Sequence, residues 1–203
     1  MTDQIQAIQD DLAYLRALAE EGREGGSRGG AIGVAAGLIY ASCSVFEWAA
    51  LTGRASQTVA NYGWLVGTAL FLCVLVFVKM TEGASTGRAR AANIAWIGVG
   101  WAIFALCAAL TVATWKTQSG LLIYFFPSIV FALYGAAWTV AALVTKKVWM
   151  TLTAAGSFLA TVACAWLIKD PVQYLIYAAG LLLLAALPSA ITMLQQPPRA
   201  SEA

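Results

Sequence analysis

Six stretches of this chain are each long and apolar enough to cross a bilayer, and nothing else in the sequence limits the fold as severely: 31–52, 62–80, 92–115, 121–145, 148–168 and 174–194. A run of roughly 18 or more apolar residues reads as a membrane helix rather than a core helix. Only 11% of the residues are charged and 61% are hydrophobic, whereas a soluble domain carries about 25% charged residues. The chain therefore lacks the polar surface that water would demand. The expected fold class is all-α: a polytopic membrane protein of six transmembrane helices in antiparallel hairpins, preceded by one short cytoplasmic amphipathic helix.

The connections GRASQTVAN, TEGASTGRARA, KTQSG, KK and KDPVQ leave no room for a second soluble domain. They also predict that successive spans are antiparallel neighbours. Three regions result: a cytoplasmic helix with a glycine-rich hinge over 1–30, a six-span domain over 31–194, and a polar, proline-containing tail over 195–203 expected to be disordered. Residues 1–28 are polar and acidic where a cleavable signal would be basic and then apolar, so the first span is expected to stay as an anchor.

Lysine and arginine set the expected orientation, because positive flanks are retained in the cytoplasm. Arg16, Arg23, Arg28, Lys79, Arg88, Arg90, Lys146, Lys147 and Arg199 fall on one side of a six-span arrangement. Arg54, Lys116 and Lys169 fall on the other, which accounts for all 12 basic residues. Both termini are then cytoplasmic. Trp48, Tyr62, Trp64, Trp115, Tyr124, Trp166 and Tyr174 gather at the opposite interface, where amphipathic rings prefer to sit.

Composition excludes several classes of function. A formal net charge of +2 is too small to point to nucleic acid. The chain has no histidine, and Cys43, Cys73, Cys107 and Cys164 all lie within apolar runs without a CxxC pair. An imidazole-based metal or heme site is excluded, and the cysteines read as small packing residues. No cofactor and no metal are expected. The glycine-rich stretch lacks the GK[ST] ending of a phosphate loop, and no nucleophile has a base beside it, so enzyme activity is not expected.

Four features carry what functional signal there is. Gly29, Gly33, Gly37 and Ala41 recur every four residues, a ridge that lets another backbone approach closely; the partner helix belongs either to the same chain or to a second copy. Glu47 is the only acidic residue in any apolar run. One reading places it near the interface, reaching headgroup water and pairing with Arg54 if the helix continues that far. The other makes it a proton- or substrate-coupling carboxylate, since an acid within a membrane span is a functional hypothesis by default. Pro127 and Pro188 are expected to kink spans four and six, each with a following serine placed to re-satisfy a freed backbone group.

The last feature is the N-terminal stretch. Ile5, Ile8, Leu12 and Leu15 recur at steps of three and four and share one helical face, while residues 1–24 hold six acids and two arginines. An anionic leaflet repels such a helix, so its stripe is expected to dock on protein: a cytoplasmic partner, the basic inner loops, or a second copy. The expected partners are thus the lipid bilayer and a cytoplasmic protein or a homo-oligomer, with no nucleic acid and no metal. The expected role is an interaction or regulatory component, the alternative a small transporter or channel built around Glu47.

DDLAYLRALAEEGREG, leading through a glycine-rich hinge into IGVAAGLIYASCSVFEWA, resembles the opening of a group of small, uncharacterised bacterial multi-span membrane proteins. The resemblance covers about the first quarter of the chain. It implies a bacterial inner-membrane location and carries over no activity and no functional residue.

Overall fold

The computed structural model describes residues 29–81 and 87–195, with side chains for 30–81 and 94–195. Among the described residues the chain is helical throughout, without strands, and six helices are long and apolar enough to span a membrane. They are α1 Gly29–Leu51, α2 Gln57–Thr81, α3 Gly87–Thr117, α4 Phe126–Thr145, α5 Val148–Trp166, and a sixth span, Val172–Leu194, made of α6 Val172–Leu181 and α7 Leu187–Leu194. The docking stripe Ile5, Ile8, Leu12 and Leu15 and the tail from 196 onward lie outside the described residues.

Among the described residues, the four turns other than the one between α2 and α3 are short. Gly53, Gln118, Lys146 and Lys169 all take positive φ values, the left-handed conformation that ends a helix sharply. At Lys146 this allows a two-residue reversal: its N–H still bonds to Ala142 O at 2.7 Å, and Lys147 is already extended. Asp170 Oδ1 accepts from Val172 N at 2.9 Å and starts the sixth span, supplying an acceptor for one of the orphan donors that every helix start leaves.

The packing order is not the chain order. α1 contacts both α2 and the sixth span; α5 contacts both the sixth span and α4; and α3 packs on α4. Spans two and three share no comparable interface among the described residues, which corrects the expectation that every successive pair would be neighbours. The physical reason is that the small-residue side of α1 seats the sixth span closely while another side of α1 carries α2, so the neighbour of α2 is α1 rather than α3. The first and sixth spans, the most distant in sequence, are in contact instead.

The core forms where α4 meets α5 and the sixth span. Phe131 stacks edge-on against Tyr177 with ring centroids 5.3 Å apart, and its ring lies over Gly180, where a Cβ could not fit. Trp96 anchors α3 by edge contacts to Tyr134 at 5.4 Å and Trp138 at 5.2 Å. Such aromatic pairs contribute about 0.5–1.5 kcal/mol beyond the area they bury.

Both prolines stand where the helix changes type. Pro127 occupies the first turn of α4, preceded by a 3₁₀ segment, Gly120–Phe125. The carbonyl it would leave unpaired, on Ile123, accepts from Phe126 N instead, through the tighter i→i+3 spacing. Pro188 opens α7 behind a π-helical turn, Leu182–Ala186. It has no N–H for Leu184 four residues earlier, and Trp138 Nε1 donates to Leu184 O at 2.8 Å. The following serines satisfy neither carbonyl, since the Ser128 hydroxyl has no partner and Ser189 packs against Gly33.

Candidate functional site

Glu47 stands in the next-to-last turn of α1, on the face that α2 covers. Gln57, Asn61 and Trp64 follow one another at steps of four and three on α2 and so share one face. Gln57 Nε2 donates to Glu47 Oε1 at 2.8 Å and Trp64 Nε1 donates to Glu47 Oε2 at 3.0 Å. Gln57 Nε2 also reaches Asn61 Oδ1 at 3.3 Å. The carboxylate is therefore gripped at both oxygens by neutral donors from a single neighbouring helix, and the residue is only 9% exposed.

No cation completes the site among the described residues. Arg54 is turned aside, because α1 ends at Leu51 and the chain passes through Gly53 with φ 73°. The seven-residue spacing from Glu47 therefore no longer places the two on one face. The guanidinium sits 4.5 Å over the Trp48 ring instead, a cation–π contact. The expected pairing of Glu47 with Arg54 is not made, and the carboxyl bonds to Gln57 and Trp64.

Below Glu47 the same seam continues inward. The Cys43 thiol donates to Gly63 O at 3.4 Å, and Gly67 admits the Cys43 sulfur where any side chain would collide. Tyr40 stacks on Trp64 at 6.2 Å and tilts against Phe71 at 5.5 Å. On the far side, Tyr174 lies near both Glu47 and Tyr124 and is 8% exposed. The Glu47 clasp thus adjoins the start of the sixth span as well as α2.

The small-residue ridge faces the sixth span of the same chain. A Cβ at Gly33 would collide with the Ser189 side chain, and one at Gly37 would come 2.7 Å from Ala186 Cβ and 2.8 Å from Ala186 N. Ala41 is buried in the core cluster, and Gly29 is the first residue of α1.

Three residues that tie this region together are not apparent in the sequence. Gln57 and Trp64 read as a loop residue and an interfacial aromatic, although their seven-residue spacing on a helix beginning at Gln57 would have aligned them. Gln173 reads as part of the connection KDPVQ, yet it is fully buried. Its Nε2 donates to Tyr124 O at 2.7 Å and Cys164 O at 3.1 Å, tying together the starts of spans four and six and the end of α5. The Asp170–Pro171 pair, a helix-start signal, is the one hint that Gln173 already belongs to the span.

Chemically, Glu47 presents two acceptor oxygens, each used by a neutral donor from α2. As a carboxylate it accepts two charge-assisted hydrogen bonds, each worth about 1.5–3 kcal/mol against 0.5–1.5 kcal/mol for neutral ones. Compared with family models, with curated proteins and with solved structures, the chain matches none.

Proposed function

We propose that this integral membrane protein is a small transporter or channel of the bacterial inner membrane, non-catalytic, with both termini cytoplasmic, in which Glu47 is the proton- or substrate-coupling carboxylate. The observation that supports this reading is the clasp: a buried acid in a membrane bundle, held at 2.8 and 3.0 Å by neutral donors from α2 and lacking a counter-cation among the described residues. An acid fixed by an arginine would be a structural pair. An acid held only by neutral N–H groups changes charge and, in doing so, changes how firmly two spans are joined. The test is proton flux into vesicles reconstituted with the full chain. Glu47→Gln is expected to abolish a flux that Arg54→Gln leaves intact, and an unchanged flux in Glu47→Gln, or none in the native protein, overturns the reading.

A second reading rests on the acidic N-terminal stretch, whose stripe Ile5, Ile8, Leu12 and Leu15 suits a protein surface better than an anionic leaflet. Here the protein acts as a membrane-tethered docking or regulatory component. Cross-linked purification from native membranes, with and without residues 2–24, separates the readings: a cytoplasmic protein recovered only with the full chain supports docking, and identical recoveries reject it.

A further inference from the structure

Two helices can be in contact and still leave space between them, and α3 and α4 do. Trp96 and Ile103 of α3 pack toward the core, with Trp96 edge-on to Tyr134 and Trp138. On the adjoining face, Ala95, Gly98 and Ala102 of α3 line a groove of about 250 Å³ together with Leu133, Ala136 and Val140 of α4. Steps of three and four residues keep each set in line along its own helix. The groove is open because its α3 wall is small: a Cβ at Gly98 would meet nothing within 4 Å. Every lining residue is apolar, and an apolar space of this kind stays dry.

One end of the groove leads to positive charge. Consecutive spans joined by a short connection run antiparallel, so α3 starts and α4 stops at the same end of the bundle. Arg88 and Arg90 stand in the first turn of α3. Position 88 precedes Ala95 by seven residues, which puts it in line with the groove and about 10 Å beyond it. Lys146 ends α4 in the left-handed conformation and is exposed. Its ammonium makes no hydrogen bond or ion pair among the described residues, whereas Lys147 Nζ donates to Gln195 Oε1 at 2.6 Å. The acids among the described residues, Glu47 and Asp170, belong to the opposite end, where α1 stops and the sixth span starts.

We propose that the groove between α3 and α4 seats one acyl chain of an anionic phospholipid whose phosphate lies at Lys146, in the positive field of Lys146, Arg88 and Arg90. Three observations select this occupant. The groove is apolar and lies within two membrane spans, where an unfilled space forfeits dispersion contacts that hydrocarbon restores. Its shape favours a single chain over another helix, because Ile94 and Trp101, each preceding a lining residue of α3, stand out at 59% and 70% exposure. A helix about 10–12 Å across is held off by such side chains, and a hydrocarbon chain passes between them. Its charge favours an anionic headgroup, since cations at the end of a cleft between spans attract one and no acid of the described residues stands there to compensate them.

Native mass spectrometry of the full chain, purified in mild detergent and mixed with equal amounts of phosphatidylglycerol and phosphatidylcholine, tests this. The native chain is expected to retain one phosphatidylglycerol, several-fold in preference to phosphatidylcholine. Gly98→Leu puts its side chain into the open groove and is expected to cut retention of both lipids several-fold. Gly100→Leu, where a Cβ also meets nothing within 4 Å but which does not line the groove, is expected to leave retention at the native level. Lys146→Gln is expected to remove most of the preference for phosphatidylglycerol. Equal retention of the two lipids by the native chain overturns the proposal, as does retention that Gly98→Leu leaves unchanged. A dimer that Gly98→Leu converts to a monomer also overturns it, by assigning the groove to a second copy of the chain.

Discussion

At the scale of single residues, the Glu47 clasp joins two helices through two hydrogen bonds whose donors are unequal. Gln57 has a second acceptor in Asn61; the Trp64 indole has only the carboxylate. Trp64→Phe keeps the ring that stacks on Tyr40 and removes the N–H alone, leaving a buried carboxylate oxygen unpaired. That loss costs about 1–3 kcal/mol and more if the acid is charged. The expected outcome is a destabilisation of that size in detergent-unfolding measurements, with a clearly smaller effect when Glu47→Gln is already present. Equal effects in the two backgrounds would show that the indole acts through packing and not through Glu47. The acid itself was legible in the sequence as the one charge in an apolar run that had to be explained. Its partners were not, because an aromatic residue near a span end has a good reason to be at the interface, and nothing local says that Trp64 turns inward while Tyr62, Trp115 and Trp166 stay exposed.

At the scale of elements, length and hydropathy are enough to find the six spans, since a helix is the only structure that satisfies every backbone group of a short segment inside lipid. What they do not show is how a helix absorbs a proline. The missing N–H and the clash with the carbonyl four residues earlier are certain from the residue alone, but the remedy depends on neighbours distant in sequence. In span four the chain tightens to 3₁₀ ahead of Pro127, and Ile123 O finds Phe126 N. In span six it widens to a π turn ahead of Pro188, and Leu184 O accepts from Trp138, 46 residues away. A tryptophan in the middle of span four has no signal of its own for that duty, and neither does Gln173, whose burial follows from carbonyls on two other spans. From the residues alone each proline says that a backbone bond is lost, not how the neighbouring spans make it good.

At the scale of the whole molecule, α1 holds the arrangement together, with α2 on one side and the sixth span on the other. Its seam with the sixth span is made by close approach: Gly30 against Met193, Gly33 against Ser189, and Gly37 against Ala186. In lipid there is little hydrophobic drive for helices to associate, so dispersion between closely apposed backbones must supply it. If this seam carries the contact between the two ends of the chain, the connection between spans two and three is dispensable for holding them together. Co-expressed fragments 1–85 and 86–203 are therefore expected to purify as one complex, with the first two spans captured by the last four. Gly37→Leu in the first fragment would drive a side chain into the backbone of Ala186, an overpacking that costs about 1–3 kcal/mol or more, and is expected to release the fragments from each other while each still inserts. Fragments that purify separately, or a capture that Gly37→Leu leaves intact, would move the contact elsewhere, and the ridge Gly33, Gly37 and Ala41 would then be free to meet a second copy of the chain instead of its own sixth span.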